Sequence, residues 1–154
     1  QAHEFSMPQF QQQFQQHRFA MQLAQLSRAW RAELDRRLVG LGLSQARWLV
    51  LLHLARFESP PTQRELARSV GVEGPTLARL LDGLEAQGLV SRQAVAEDRR
   101  AKQITLSAKA QPLIEQIEAI STQLRHELFA GIDPADLQHC QRVQERILAN
   151  LEKS

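Results

Sequence analysis

A hydroxyl and a guanidinium stand three residues apart where the sequence predicts the start of a helix. Thr76 offers a hydroxyl and a methyl group, and Arg79 can donate two hydrogen bonds to the edge of a guanine base. At about 100° per residue, Pro75 and Arg79 lie opposite the leucines of this helix, with Thr76 beside them. We expect Asp82, one turn after Arg79, to orient the guanidinium. Because exposed arginines on short helices are common, this pattern alone is a weak signal for nucleic-acid binding.

A second cationic group lies in the segment 97–102, which contains Arg99, Arg100 and Lys102. A protruding loop with this charge suits a narrow minor groove, where the potential is strongly negative. Asp98 can brace one of these arginines through a charge-assisted hydrogen bond. An ordinary solvated turn would also be charged, so the loop alone does not decide the function. The two cationic groups together favour DNA binding more than either does alone.

Two short helices joined by a glycine-containing turn position the first group. The residues Thr62-Gln-Arg-Glu65 form a capping box that opens the first helix, and Gly71 closes it. Pro75 suits the first position of the second helix, because its missing N–H needs no partner there, and Gly88 ends that helix. This pattern predicts a helix-turn-helix. Side-chain caps are expected at Ser44, Thr62 and Asp133.

The second group lies between two predicted strands, Leu89–Ala94 and Lys102–Leu106, which form a hairpin. A further helix runs from Gln45 to about Phe57, and apolar residues three or four apart predict a long helix from Phe19 to Leu38 before it. Two more amphipathic helices follow the hairpin. The predicted fold is mainly α with a small β-hairpin wing (α+β), and 45–106 form its DNA-binding lobe.

The flanking segments, 7–43 and 107–154, carry apolar stripes that a unit of this size cannot cover by itself. Such stripes usually pack against a second copy, so we expect dimerisation helices within one domain that spans 7–154. Cys140 falls on the stripe of the last helix and is expected to be buried and inert. Residues 1–6 precede a Met-Pro pair and are interpreted as an added segment.

The composition excludes several classes of function. Hydrophobic residues make up 43% of the 154 residues, which is enough for one core and too much for a disordered chain. The net charge of +2 is too small to indicate nucleic acid by itself. No apolar stretch is long enough to span a bilayer, and a single cysteine fits a reducing cytoplasm. No nucleophile–base set, phosphate loop or carboxylate pair indicates an enzyme, and no cofactor is predicted.

Two alternative interpretations concern a metal site and a protein-contact module. Asp136, His139 and Cys140 have the spacing of three metal ligands on one helix, but the preferred interpretation is a charge at the helix N-terminus, a solvated histidine and a core cysteine. No metal site is therefore predicted. The competitor to DNA binding is a dimeric module that uses its hairpin for protein contacts, and such a hairpin has no need for three cations. Salt-dependent retention on heparin separates the two.

The sequence resembles the MarR family of winged helix-turn-helix regulators, and its SlyA-like branch in particular. The resemblance is carried by Asp98-Arg99-Arg100 with the following ITLS run, and by the run GVEGPTLARLLDGLE from Gly71 to Glu85. The run from Asp98 to Lys102 is also similar to that branch. The resemblance extends over nearly the whole chain from about Phe19.

The resemblance implies a triangular homodimer on a pseudo-palindromic site, with paired recognition helices in successive major grooves. The major-groove residues would be Pro75, Thr76 and Arg79. Arg100, with Arg99 nearby, would enter the minor groove. The residues that could contact phosphate at the start of the preceding helix are Thr62 and Gln63.

Many relatives in this family are released from DNA by small phenolic or aromatic carboxylates. The resemblance implies that Arg28, Trp30, Arg31 and Trp48 could supply a cation and aromatic walls for such an effector. The preferred alternative places both tryptophans in the core. The sequence also leaves the sign of regulation open between repression relieved by an effector and activation by displacement of a nucleoid-silencing protein.

Overall fold

The computed structural model describes residues 7–95 and 97–153 of the 154-residue chain. The first six residues, interpreted above as an added segment, lie outside the described residues. The elements are α1 (Met7–Leu38), a single 3₁₀ turn (Val39–Leu41), α2 (Gln45–Ala55), α3 (Gln63–Val70), α4 (Gly74–Ala86), β1 (Val90–Val95), β2 (Asp98–Leu106), α5 (Ala110–Leu128) and α6 (Pro134–Glu152). This order confirms the fold predicted from the sequence, which is mainly helical with one antiparallel hairpin.

The helix caps predicted from the sequence are present. The Ser44 hydroxyl accepts from the N–H of Arg47 at 3.3 Å, and the Thr62 hydroxyl accepts from the N–H of Glu65 at 3.1 Å. Asp133 Oδ1 accepts from the N–H of Ala135 at 2.9 Å. Each contact satisfies one of the N–H groups that a helix start leaves unpaired. These local signals therefore set where α2, α3 and α6 begin.

The turn between α3 and α4 has the geometry that a helix-turn-helix requires. Gly71 adopts a φ of 82°, a left-handed conformation that favours glycine, and its N–H donates to the carbonyl of Ala67 at 2.9 Å. The next helix begins at Gly74, with Glu73 as its N-cap and Pro75 in the first turn. The chain therefore reverses direction within a few residues and presents the start of α4 at the surface.

The hairpin is longer than the sequence predicts. β2 begins at Asp98 and pairs antiparallel with β1, with a register shift between Ala94 and Val95. The sequence pattern placed the start of this strand at Lys102, because the charged residues before it lack the apolar alternation of a half-buried strand. Among these residues, Asp98 pairs with Val95 across the register shift, and this pairing is not predicted by the composition of the segment.

The base of the hairpin is bonded to the segment that leads into α3. The N–H of Ile104 donates to the carbonyl of Pro61 at 2.9 Å, and Thr62 forms an isolated antiparallel bridge with Gln103. The hairpin therefore has a fixed origin beside the helix-turn-helix, and only its tip projects from this attachment.

The core of the helix-turn-helix is built from leucines. Leu77, Leu81 and Leu84 of α4 are fully buried, as is Leu66 of α3. They pack in the same core as residues contributed by α2 and the hairpin, among which Val50, Leu51 and Ile104 are also fully buried. The opposite face of α4 is therefore left free for contacts outside the chain.

The chain divides into two compact units, residues 1–120 and 121–154, with the boundary inside α5. In the second unit, α6 has no buried residue, and Cys140 is exposed in the single chain. The expectation that Cys140 is buried is therefore wrong for the single chain, in which the described residues leave Cys140 exposed. No single described helix is long and apolar enough to span a membrane, although Pro8–Leu41 and Gln45–Ala55 pass that test together as a pair bent by 92°.

Candidate nucleic-acid interface

The exposed face of α4 carries the residues that the sequence singled out. Pro75 and Arg79 are exposed and Thr76 is half-buried, whereas the leucines on the other face are fully buried. Arg79 is therefore held on a rigid helix with its guanidinium open to solvent. At the start of α4, the N–H groups of the first turn are also available to an anion.

The prediction that Asp82 orients the guanidinium of Arg79 is wrong. Asp82 accepts from Arg92 Nη2 at 2.5 Å, and Glu85 accepts from Arg92 Nε at 2.8 Å, so both carboxylates bind an arginine of β1 rather than Arg79. Asp82 and Glu85 are one turn apart on α4, and the Arg92 fork reaches both. Hydrogen bonds to Asp82 and Glu85 raise the pKa of Arg92 above its ordinary value.

The Arg92 ion pairs have two consequences for an anionic partner. The single positive charge of Arg92 offsets one of the two negative charges of Asp82 and Glu85, and so reduces the repulsion between this part of the helix and phosphate. They also tie the hairpin to α4, so that the two cationic elements keep a fixed relation. The side chain of Arg92 is only 18% exposed, which holds it in place better than a solvated arginine. The one-turn spacing of Asp82 and Glu85 places two carboxylates on one side of α4, but it does not indicate that their partner lies on β1.

The structure describes the side chain of Lys102 on the hairpin, but not those of Arg99 and Arg100. Lys102 is exposed on β2. The backbone of Asp98, Arg99 and Arg100 belongs to β2, but their side chains lie outside the described residues. Their roles in bracing and in the minor groove therefore stay predictions.

A surface groove of about 510 Å³ joins the helix-turn-helix to the hairpin. Its polar lining residues are Gln63 and Arg64 of α3, Arg92 of β1 and Lys102 of β2. The lining also includes Gly74, at the start of α4. Thr62, beside this groove, is half-buried, and its hydroxyl can still donate because it acts only as an acceptor in the cap of α3. The groove is wide, open and cationic, which suits a phosphate backbone better than a small apolar ligand.

Arg64 is the site residue that sequence reasoning missed. It lies one position after Gln63, is exposed, and lines the same groove as Lys102. The signal available from the sequence was its place in the first turn of α3, where Thr62 and Gln63 were already singled out. A cation on that turn adds to the positive charge that faces the groove.

The four effector candidates are not brought together. Trp48 is 2% exposed, and its Nε1 lies 3.4 Å from Asp35 Oδ1, so it is a core residue. Trp30 is half-buried and Arg28 is exposed on α1. Arg31 lines a surface pocket of about 190 Å³ near the helix-turn-helix. The other lining residues of that pocket are Gln45, Ala46, Leu49, Val70, Val72 and Leu80.

The candidate metal ligands on α6 are all exposed, and within 7–95 and 97–153 no three His, Cys, Asp or Glu side chains are grouped so that they could hold a metal ion. One other histidine is engaged inside the first unit. His53 Nδ1 lies 2.9 Å from Ser69 Oγ, which links α2 to α3. Partial burial, and then the nearby charges of Arg56 and Arg31, lower the pKa of His53.

Comparison with known proteins finds a transcriptional regulator of high sequence identity. The chain is 69% identical to the transcriptional regulator PA3341, whose crystal structure matches with a TM-score of 0.83 over 88% of this chain and 99% of that one. Residues 41–101, which include the helix-turn-helix and most of the hairpin, match the MarR family.

Two more distant structures share the fold. MepR of S. aureus, crystallised in complex with DNA, is 22% identical and matches with a TM-score of 0.78 over 86% of this chain and 97% of that one. CouR from Rhodococcus jostii RHA1, crystallised with p-coumaroyl-CoA, is 23% identical and matches with a TM-score of 0.74 over 84% and 90%.

Proposed function

The chain belongs to the MarR family of transcriptional regulators and is not an enzyme, and from that premise we propose that it binds pseudo-palindromic DNA operators as a homodimer. The observation that carries this proposal is the exposed guanidinium of Arg79 on α4, beside a groove that collects cations from α3 and the hairpin. A helix start and a cationic hairpin on one surface suit a duplex, which offers a groove and a charged backbone together.

Each part of this surface takes one role in the proposal. Thr76 and Arg79, preceded by Pro75, read base edges in the major groove. Thr62, Gln63 and Arg64 contact phosphates and set the register. Arg99 and Arg100 enter the adjoining minor groove, with Asp98 bracing one of them, and Lys102 contacts the backbone at the groove edge.

Exposed apolar side chains on the long helices support the homodimer. On α1, Phe14 is 56% exposed and Leu26 is 58% exposed, and on α6 Leu148 and Leu151 are 60% and 63% exposed. Soluble monomers rarely leave rows of large apolar side chains in water. A second copy of the chain would cover both rows, and it would supply the second winged lobe (45–106) that a pseudo-palindrome requires.

A direct test selects duplexes from a random library with the purified protein and measures binding by fluorescence anisotropy. We expect selected sequences with twofold symmetry, affinity that falls steeply with salt, and a complex that contains two chains. Arg100→Ala should weaken binding to all selected sites alike. If the protein shows no preference for any duplex at low salt, and instead retains protein partners, the protein-contact module becomes the better interpretation.

We also propose that a small aromatic or phenolic carboxylate releases the protein from DNA. The pocket beside Arg31 supports this, because it combines one cation with the apolar side chains of Leu49, Val72 and Leu80, and Leu80 belongs to α4. Of the original candidates only Arg31 is kept. CouR, which shares the fold, was crystallised with the thioester p-coumaroyl-CoA.

The effector proposal is tested with 4-hydroxybenzoate and salicylate as probes. A probe that binds should raise the melting temperature and lower the affinity for a selected duplex. Arg31→Ala should abolish both effects, whereas Arg28→Ala, a matched change on the same helix, should leave them intact. Equal responses of the two variants would exclude this pocket as the effector site.

A further inference from the structure

The C-terminal end of α4 is hydrogen-bonded to three other parts of the chain, to two of them through side chains and to the third through a main-chain carbonyl. The side-chain oxygen of Gln87 accepts from Arg47 Nη1 of α2 at 3.0 Å, and its side-chain nitrogen donates to the carbonyl of Gly42 at 3.5 Å. The main-chain carbonyl of Gln87 accepts from Lys109 Nζ at 3.0 Å. Gln87 therefore connects the recognition helix to α2, to the α1–α2 connection and to the segment before α5.

Arg47 also makes a close approach to the body of α4. A Cβ placed on Gly83 would overlap the guanidinium of Arg47, at Nη2 and Cζ. Glycine in the middle of a helix is destabilising relative to alanine, so its presence here calls for a physical reason. A side chain at position 83 would displace the guanidinium of Arg47, the flexible end of a long side chain, from the place where it contacts Gln87.

The Gln87 contacts lie toward the opposite end of α4 from Thr76, whereas the approach of Arg47 to Gly83 is one turn after Arg79. Gln87 follows Thr76 by eleven positions, which at about 1.5 Å per residue is about 16 Å along α4. A small tilt of α4 about its C-terminal end would therefore displace Thr76 and Arg79 relative to the rest of the chain. Fixing the C-terminal end fixes the direction in which the start of the helix points.

We propose that Arg47 and Gln87 are positioning residues for DNA recognition, which set the direction of α4 against α2 and the α1–α2 connection. In a homodimer this direction determines the separation of the two recognition helices, and hence the half-site spacing that the protein accepts. This inference rests on the proposed function, because it requires two copies of α4 on one duplex. Neither residue contacts DNA, so base preference within one half-site is independent of both.

The contact itself is tested by a double-mutant cycle in thermal melts. Arg47→Ala alone should lower the melting temperature by about 2–4 °C, whereas in Gly83→Ala alone the gain in helix propensity is offset by the displacement of the guanidinium from Gln87. In the double variant the two effects should not add, since the new methyl group at position 83 has room once the guanidinium is gone. Gly40→Ala is the matched control, because a Cβ at Gly40 meets nothing within 4 Å. Strictly additive effects would overturn the inference.

The positioning role is tested on duplexes selected by the wild-type protein and then re-spaced by one or two base pairs at their centre. Wild-type binding should fall steeply with each change in spacing. Gln87→Leu and Arg47→Ala should lower affinity at the original spacing by about tenfold and flatten the spacing profile, with base preference unchanged. Gln87→Glu keeps an acceptor for Arg47 but loses the donor to the Gly42 carbonyl, so its profile should be steeper than that of Gln87→Leu and less steep than that of the wild type.

Two outcomes separate the failure of this inference from the failure of the proposed function. Variants whose spacing profile is as steep as that of the wild type would show that Arg47 and Gln87 only stabilise the fold, and this inference would be wrong while the function stood. A wild-type protein that selects no duplex with two half-sites would contradict the proposed function, and the positioning role with it.

Discussion

The recognition helix α4 and the last helix α6 have similar amphipathic patterns and different surroundings. Leu77, Leu81 and Leu84 of α4 are all 0% exposed, whereas Leu148 and Leu151 of α6 are 60% and 63% exposed. The spacing of apolar residues predicts which face of a helix will be buried. The rest of the fold determines whether residues of the same chain bury that face. The winged lobe (45–106) buries its own leucines, whereas the leucines of α6 stay exposed in the single chain.

The largest difference in stability between variants of the two helices should come from truncating one leucine on the apolar face of each. Leu81→Ala opens a cavity in a closed core and should lower the free energy of unfolding by about 2–5 kcal/mol. Leu148→Ala should change it by less than about 1 kcal/mol when the protein is dilute enough to be monomeric. Urea melts of both variants at low concentration make the comparison. Equal losses would mean that α6 is covered within one chain.

Adding charge to α6 should separate assembly from folding. Leu148→Asp together with Leu151→Asp places two carboxylates on the exposed stripe, and desolvating them at an interface is costly. We expect a monomer by sedimentation with an unchanged circular dichroism spectrum, and loss of binding to two-half-site duplexes. The control is Arg142→Asp with Glu145→Lys, which changes charge on α6 outside that stripe. A dimer that survives the two aspartates would place the partner surface elsewhere.

The exposed face of α4 should show an effect on specificity without an effect on stability. Arg79→Ala should reduce discrimination between selected and scrambled duplexes by about 1–3 kcal/mol per half-site. Its melting temperature should match that of the wild type, because Arg79 is exposed. An unchanged ratio of affinities would show that Arg79 does not read bases.

The smallest expected effect is a pH dependence of the free energy of unfolding that arises from His53 in the first unit. Burial lowers the pKa of His53 below its ordinary value, so the folded state favours the neutral ring. Its contribution to stability is present above the unfolded pKa of about 6.5 and is lost as the pH falls through the lower folded pKa. Urea melts between pH 7.5 and 5 should show this loss, and His53→Gln should reduce it. His139→Gln, an exposed change on α6, should leave the wild-type dependence intact.

Features that depend on neighbours along the chain were predictable from the sequence. Ser44, Thr62 and Asp133 were predicted as caps and are caps, since a cap needs only a side-chain oxygen and an N–H two or three residues later. The turn at Gly71 and the outward face of Arg79 follow from equally local rules. The order of elements, and with it the fold, was therefore accessible without coordinates.

Features that depend on a distant partner were not predictable. Asp82 has a candidate cation one turn away on its own helix, yet it binds Arg92, which only the pairing of the hairpin brings close. Nothing near Gln87 in sequence indicates Arg47, forty positions earlier. The burial of Cys140 was predicted from the apolar stripe of α6, but Cys140 is exposed in the single chain. Each of these cases needs tertiary or quaternary structure as input.

The bonds between the hairpin base and the segment before α3 also bear on how new specificities can arise. Ile104 and Gln103 are tied to Pro61 and Thr62, so the strands keep their origin whatever the tip contains. Insertions or charge reversals near Glu97 should therefore be tolerated without loss of folding, whereas the same changes at Gln103 should not. We therefore expect that substitutions at the tip can change operator preference between duplicated regulators without loss of folding.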